Sequence, residues 1–271
     1  MAIHAGYMGD ATVGGDKVRI TGSSLNPVQG VEAPDLIQGS YDRMAYVYGK
    51  IETGGNLTGP VANDTAGGIF GKAFTRDTDG DKMDWSGKVE IAYYKGGGRQ
   101  FNNCQINSYQ LSVTAGDVAQ FTIDFMGTTT DSIASSTAAD CTKLITWDEC
   151  SATTTTGFDD VIQSFTVTIN NNLQRVYVVG QSNKYPAEIL AGVRHIDGTI
   201  SYYAEGGPDT LPGGQDSWSA DTTTNNVNFE AGDIALNAKV AFHRPEASAT
   251  TGPTVYTLNF TGVCEQTLAS S

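Results

Sequence analysis

Between Ser108 and Met126, side chains of opposite character take turns along the chain. Tyr109, Leu111 and Val113 alternate with Ser108, Gln110 and Ser112, and then Ala119, Phe121, Ile123 and Phe125 alternate with Gln120, Thr122 and Asp124. A period of two sends successive side chains to opposite faces of an extended strand, so each run reads as a strand with one face on a core and one in a polar setting. Thr114-Ala115-Gly116-Asp117 supplies the turn residues between them, and residues 105–126 read as a β-hairpin.

The same alternation recurs in Val89/Ile91/Tyr93, Phe165/Val167/Ile169, Ile196/Ile200/Tyr202, Ile234/Leu236/Ala238/Val240/Phe242 and Tyr256/Leu258/Phe260. Gly supplies 32 residues and Thr is similarly frequent, while long Ala, Leu, Glu and Lys stretches at helical spacing are missing. The expectation is an all-β fold of six to nine strands. Pro186-Ala-Glu-Ile-Leu-Ala-Gly192 opens with Pro and closes with Gly, and is expected to form a short helix of one or two turns. A weak internal repeat is also visible. Gly87–Gly97 resembles Gly198–Gly207, and each is followed by Ala-Gly-Asp, at Ala115–Asp117 and Ala231–Asp233.

Two regions break the pattern. Residues 1–40, with Pro27 and Pro34, hold no sustained period and are expected to form an extended amino-terminal arm. Residues 41–271 then form a single β domain. Within it, a Thr/Ser/Ala-rich insertion at about 127–160 reads as a surface excursion.

Charge narrows the function. Sixteen Lys and Arg stand against thirty Asp and Glu, for a net charge of −14. Nucleic-acid binding runs on clustered basic residues, and no basic run exists here. The first ten residues lack the flank and apolar stretch of a secretory signal, and nowhere do about 18 apolar residues run together. No export and no membrane association are therefore expected, and the sequons at Asn56, Asn63 and Asn259 read as chance.

Catalytic motifs are lacking. His4, His195 and His243 stand in unrelated settings, Gly-x-Ser-x-Gly is absent, and Ala66–Ala73 lacks the flanking residues of a phosphate loop. No cofactor and no catalytic residue are expected. Asp77, Asp79, Asp81 and Asp84 form the one acidic cluster that suggests a hard cation, although Gly80 and Lys88 do not fit the EF-hand loop, and a solvated turn is the simpler reading. Cys104, Cys141, Cys150 and Cys264 permit three pairings, with Cys141 and Cys150 spaced for a local staple. Free thiols are the default in a reducing cytosol.

The run Cys104-Gln-Ile-Asn-Ser-Tyr-Gln-Leu-Ser-Val-Thr-Ala-Gly-Asp-Val-Ala-Gln-Phe-Thr-Ile-Asp-Phe-Met-Gly127 resembles the central hairpin of bacteriophage tail tube proteins. So do Val161–Asn170, Pro186–Tyr203 and the closing Val255–Gly262, in succession. The resemblance implies a β-sandwich or barrel protomer with a short flanking helix, whose inner strands join neighbours into a closed ring barrel. It further implies hexameric rings stacked into a tube that conducts DNA during ejection. Partners would be other copies of itself, tape measure, tail terminator and baseplate or tip proteins, and in some tails a sheath; the location would be the virion tail, after assembly in the host cytoplasm. Under that reading the polar row Gln120, Thr122 and Asp124 is the candidate lumen lining, an outer solvent face being the alternative. The acidity then keeps DNA from sticking to the wall. A competing reading is a carbohydrate- or surface-binding β-sandwich, with Trp85, Trp147 and Trp218 as stacking platforms.

Overall fold

The computed structural model describes residues 9–25, 28–32, 47–62, 66–79, 82–93, 97–134, 143–154, 162–180, 184–203, 225–243, 246–248, 255–262 and 267–268. Its first part holds β1 (Gly9–Val13), β2 (Asp16–Arg19), β3 (Gly22–Leu25), β4 (Val28–Glu32), β5 (Val47–Pro60), helix α1 (Ala66–Phe74) and β6 (Gly87–Tyr93). Next come β7 (Gly97–Thr114), β8 (Gln120–Gly127), β9 (Thr129–Ile133), a 3-10 turn at Trp147–Glu149, β10 (Cys150–Thr154) and β11 (Ile162–Asn170). The last part holds β12 (Gln174–Val176), β13 (Glu188–Leu190), β14 (His195–Tyr203), β15 (Asn225–Ala231), β16 (Ile234–Phe242), β17 (Glu246–Ser248), β18 (Val255–Gly262) and β19 (Thr267–Leu268). The fold is all-β with a single short α-helix among the described residues, and its strands pair antiparallel.

The expected hairpin is β7 and β8. Leu111 faces Phe121, Tyr109 faces Ile123, and the turn closes with Asp117 N donating to Thr114 O at 3.0 Å. Gly116 takes φ +91°, a left-handed conformation that Gly adopts without strain. β7 extends further back than the alternation suggested. Near Asn103, itself at φ +47°, the strand passes from one sheet to another. Its first half pairs with β6 and β9, its second half with β8 and β11.

Two sheets therefore share β7. The smaller one runs β2-β1-β6-β7-β9. The main one runs β3-β5-β8-β7-β11-β14-β18-β16-β15-β10. One face of the main sheet is apolar across its strands, with Leu57, Ile123, Tyr109, Ile169 and Ile196 buried in one row. Helix α1 and strands β1, β10, β15 and β16 contribute side chains to the same core. Phe229 stacks on Phe260 at 5.3 Å, Phe70 meets Tyr109 edge-on at 5.3 Å, and Phe101 meets Phe125 at 5.4 Å. Each such side chain contributes about 1.5–3 kcal/mol by leaving water.

Several expectations need correction. Residues 186–192 are not helical: β13 pairs with β12, and Ile189 is buried with Met83 and Leu173. A helix of five residues between Pro and Gly is too short to hold itself, and the hairpin contacts prevail. The helix lies instead at Ala66–Phe74, where Gly67, Gly68 and Gly71 lower the intrinsic propensity. Ile69, Phe70, Ala73 and Phe74 share one buried face, so tertiary packing holds it. Within the segment expected as a loose arm, β1 pairs with β2 and β6, and Ala11, Val13 and Val18 are buried. The 127–160 segment is likewise partly built in, since β9 pairs with β7, β10 pairs with β15, and Ile145 and Ala152 are core residues.

The repeat has a partial structural counterpart. Both Ala-Gly-Asp turns join antiparallel neighbours, β7 to β8 and β15 to β16, with Gly232 at φ +56°. The strands that precede them differ: β6 pairs with β7, whereas β14 pairs with β11 and β18.

Candidate functional site

Opposite the apolar rows, the main sheet presents polar rows that cross five or six strands. One runs Thr58, Thr122, Gln110, Thr168, Asp197 and Thr261 through β5, β8, β7, β11, β14 and β18. A second runs Pro60, Gln120, Ser112, Thr166, Thr199 and Asn259, and a third runs Asn56, Asp124, Ser108, Asn170 and His195. Gln120, Thr122 and Asp124, singled out from sequence, thus occupy three neighbouring rows of one continuous surface. Their partners from β5, β11, β14 and β18 are distant in sequence, and alternation within each strand was the available signal for them.

The rows are tied laterally by side chains. Thr58 Oγ1 lies 3.4 Å from Thr122 Oγ1, Gln110 Nε2 donates to Thr168 Oγ1 at 3.2 Å, and Thr166 Oγ1 donates to Ser112 Oγ at 3.4 Å. Such cross-strand hydroxyl and amide contacts stabilise a sheet face without adding charge. Asp124 accepts from Asn107 Nδ2 at 2.9 Å, and Asn107 Oδ1 accepts from Leu173 N at 2.8 Å. Asp124 and Asp197 are the carboxylates of the three rows, His195 is the one imidazole, and no Lys or Arg stands in them. His243 flanks the surface, with Nε2 3.1 Å from Thr261 Oγ1.

Carboxylates gather elsewhere. Trp147 N donates to Asp117 O at 3.1 Å and Gly232 N to Glu149 O at 3.4 Å, so the 3-10 turn bridges the two Ala-Gly-Asp turns. Asp117, Asp148, Glu149, Glu230 and Asp233 are all exposed at this corner, and Lys143 pairs with Glu149. The hydrogen bond with the Thr146 side chain holds the Asp148 carboxyl below its ordinary range. The bond with Lys143 does the same for Glu149.

At the opposite end of β11, beside the middle of β7, a buried polar junction fixes α1. Asn171, with no exposed surface, donates Nδ2 to Ala73 O at 2.8 Å and to Ile106 O at 3.0 Å. Arg194 donates Nε to Asn171 Oδ1 at 2.9 Å and Nη2 to Phe74 O, with its guanidinium 4.4 Å from the Phe74 ring centre. Burial, and then the charge of Arg76, lower its pKa to about 10. Carbonyls at a helix C-terminus favour a cation, so this is cap chemistry.

The remaining sequence candidates lie apart from these features. Asp77, Asp79 and Asp84 sit around a turn in which Asp77 N donates to Lys82 O at 3.1 Å, while Asp81 lies outside the described residues. No group of three His, Cys, Asp or Glu side chains is arranged to hold a metal among the described residues. Cys104 and Cys150 carry free thiols, and Cys141 and Cys264 lie outside the described residues. Trp85 is half-buried against the core, Trp147 is exposed, and Trp218 lies outside the described residues.

A comparison with curated proteins finds no match. A family model does match, and it covers residues 4–264, nearly the whole chain, including both sheets, α1 and the polar rows. On that match the chain belongs to the phage tail tube protein family, whose role in the virion is structural.

Proposed function

We propose that six copies of this chain close into a ring, that rings stack into the tail tube, and that DNA passes through it during ejection. In this reading the polar rows of β5, β8, β7, β11, β14 and β18 line the lumen, including Gln120, Thr122 and Asp124. The observation that carries it is the character of that surface: wide, continuous across six strands, polar, and without Lys or Arg. An outer wall has no reason to exclude cations, whereas a DNA conduit does. Each Lys or Arg on the wall would release counterions from passing phosphates and hold the cargo.

This places the source of non-adhesion differently from net charge alone. Hydroxyls and amides dominate the rows, and two carboxylates per protomer add a modest repulsion. Joining sheet edges between protomers removes exposed strand edges, which favours ring closure. Tape measure, terminator and baseplate or tip proteins are the partners this role requires, with assembly in the host cytoplasm. Electron microscopy of the purified chain tests the assembly: rings or tubes about a central channel are expected, and a persistent monomer at high concentration would refute it.

A further inference from the structure

Among the described residues, exposed large apolar side chains are concentrated at the two ends of β11 and of the half of β7 that pairs with it. Trp147 stands in the acidic corner, and Tyr203 ends β14 on the same side, since Thr114, Ser164 and Ser201 share a row. Val178, Val179 and Val193 stand at the other end. They lie on the extension of the β12-β13 hairpin and on the loop after it, which Asn171 and Asn172 anchor to the end of β11. Val179 is fully exposed, and Val178 and Val193 are more than half exposed. The hairpin is tied to β5 by Arg175 Nη2 donating to Thr53 O at 2.7 Å and Ile51 N donating to Lys184 O at 2.8 Å.

The ends also differ in charge. The Trp147 corner carries five exposed carboxylates against Lys143. The hairpin carries the exposed Lys184 and Arg175, which is bound to Thr53 O, while Lys82 engages Glu188 at 2.5 Å and Arg194 on the following loop is turned inward to Asn171 and Phe74 O. The adjoining turn adds Asp77, Asp79 and Asp84, so this end mixes both signs where the Trp147 corner is acidic.

Resting on the tube reading, we propose that the Trp147 corner of one copy docks on the Val178-Val179 hairpin of a second copy in the next ring. The contact is heterologous, joining unlike ends, so each added ring presents a fresh copy of the same end and growth continues. Aromatic and aliphatic anchors supply the dry centre, and the carboxylate rim facing the mixed-charge hairpin end with Lys184 sets the orientation.

Two variants test it, one carrying Val178→Asp with Val179→Asp and the other Trp147→Ala with Asp148→Lys. All four positions are exposed, so circular dichroism and melting should match the unchanged chain, and electron microscopy should show each variant alone as unstacked rings. Mixing the separately formed rings should give pairs of rings and nothing longer, because one intact junction survives. Tubes of ordinary length from either variant overturn the inference while the ring reading stands. Ring pairs formed by one variant alone also overturn it, since like ends would then be meeting. If the unchanged chain yields neither rings nor tubes, the tube reading itself falls.

Discussion

Arg194 reaches α1 twice, directly at Phe74 O and through Asn171. Its Nε donates to Asn171 Oδ1 at 2.9 Å, while the Asn171 amide satisfies Ala73 O on the helix and Ile106 O on β7. One fully buried amide thus joins a helix end, a central strand and a guanidinium. Asn171→Ala leaves those groups without that partner, and each buried unmet polar group costs about 1–3 kcal/mol. Urea denaturation should show a loss of about 2–4 kcal/mol, among the larger single-residue effects in the chain.

Gly198 faces Val167 and Phe260 within the core. A Cβ there would stand 2.1 Å from Thr166 O and 2.4 Å from Phe260 Cζ. Gly198→Ala should therefore destabilise by about 1–3 kcal/mol through overpacking, read as a lower thermal midpoint. Gly116→Ala is the informative comparison, because its surroundings are open and only the left-handed backbone at φ +91° opposes a side chain. Its cost should be about 1–2 kcal/mol.

Burial pushes the Cys104 thiol up to about 12 from an ordinary 9.0. The folded chain therefore keeps a proton that the unfolded chain releases, and stability should be full below pH 9.0 and decline as pH rises toward about 12. Denaturation midpoints across that range check the sign, and Cys104→Ala should flatten the decline. Iodoacetamide should leave Cys104 unmodified at neutral pH until the chain unfolds, since the thiolate is both scarce and enclosed.

The proposed lumen surface makes a prediction opposite to one based on net charge. Thr122→Lys with Thr168→Lys should leave assembly intact and make tubes retain labelled duplex DNA at low salt, with retention lost as salt rises. Asp124→Asn with Asp197→Asn should leave tubes non-adhesive, because removing carboxylates adds no cation. Retention by the Asn variant would show that repulsion, rather than the lack of cations, keeps DNA free.

Much of the central sheet was legible because side-chain alternation is local: Phe121, Ile123 and Phe125 announce a face before any partner is known. The lateral rows were not, because Thr122 gains its neighbours Thr58 and Gln110 only through pairing. The helix was misplaced for a related reason. A Pro-to-Gly frame at 186–192 carries a helix signature without the length to sustain one, while Ala66–Phe74 has three glycines and is stabilised by contacts from Tyr109 and the core. Asn171 lies in an Asn-Asn-Asn run that reads as a turn, and nothing in the run marks the middle amide as buried.

β7 passes through both sheets as one uninterrupted strand. Force applied to the β2-β1-β6-β7-β9 sheet is therefore handed to the polar surface along peptide bonds as well as through the shared side-chain core. The two sheets should yield together, in one unfolding event with one midpoint, and a tube built from such protomers would carry tension through its wall as a continuous chain.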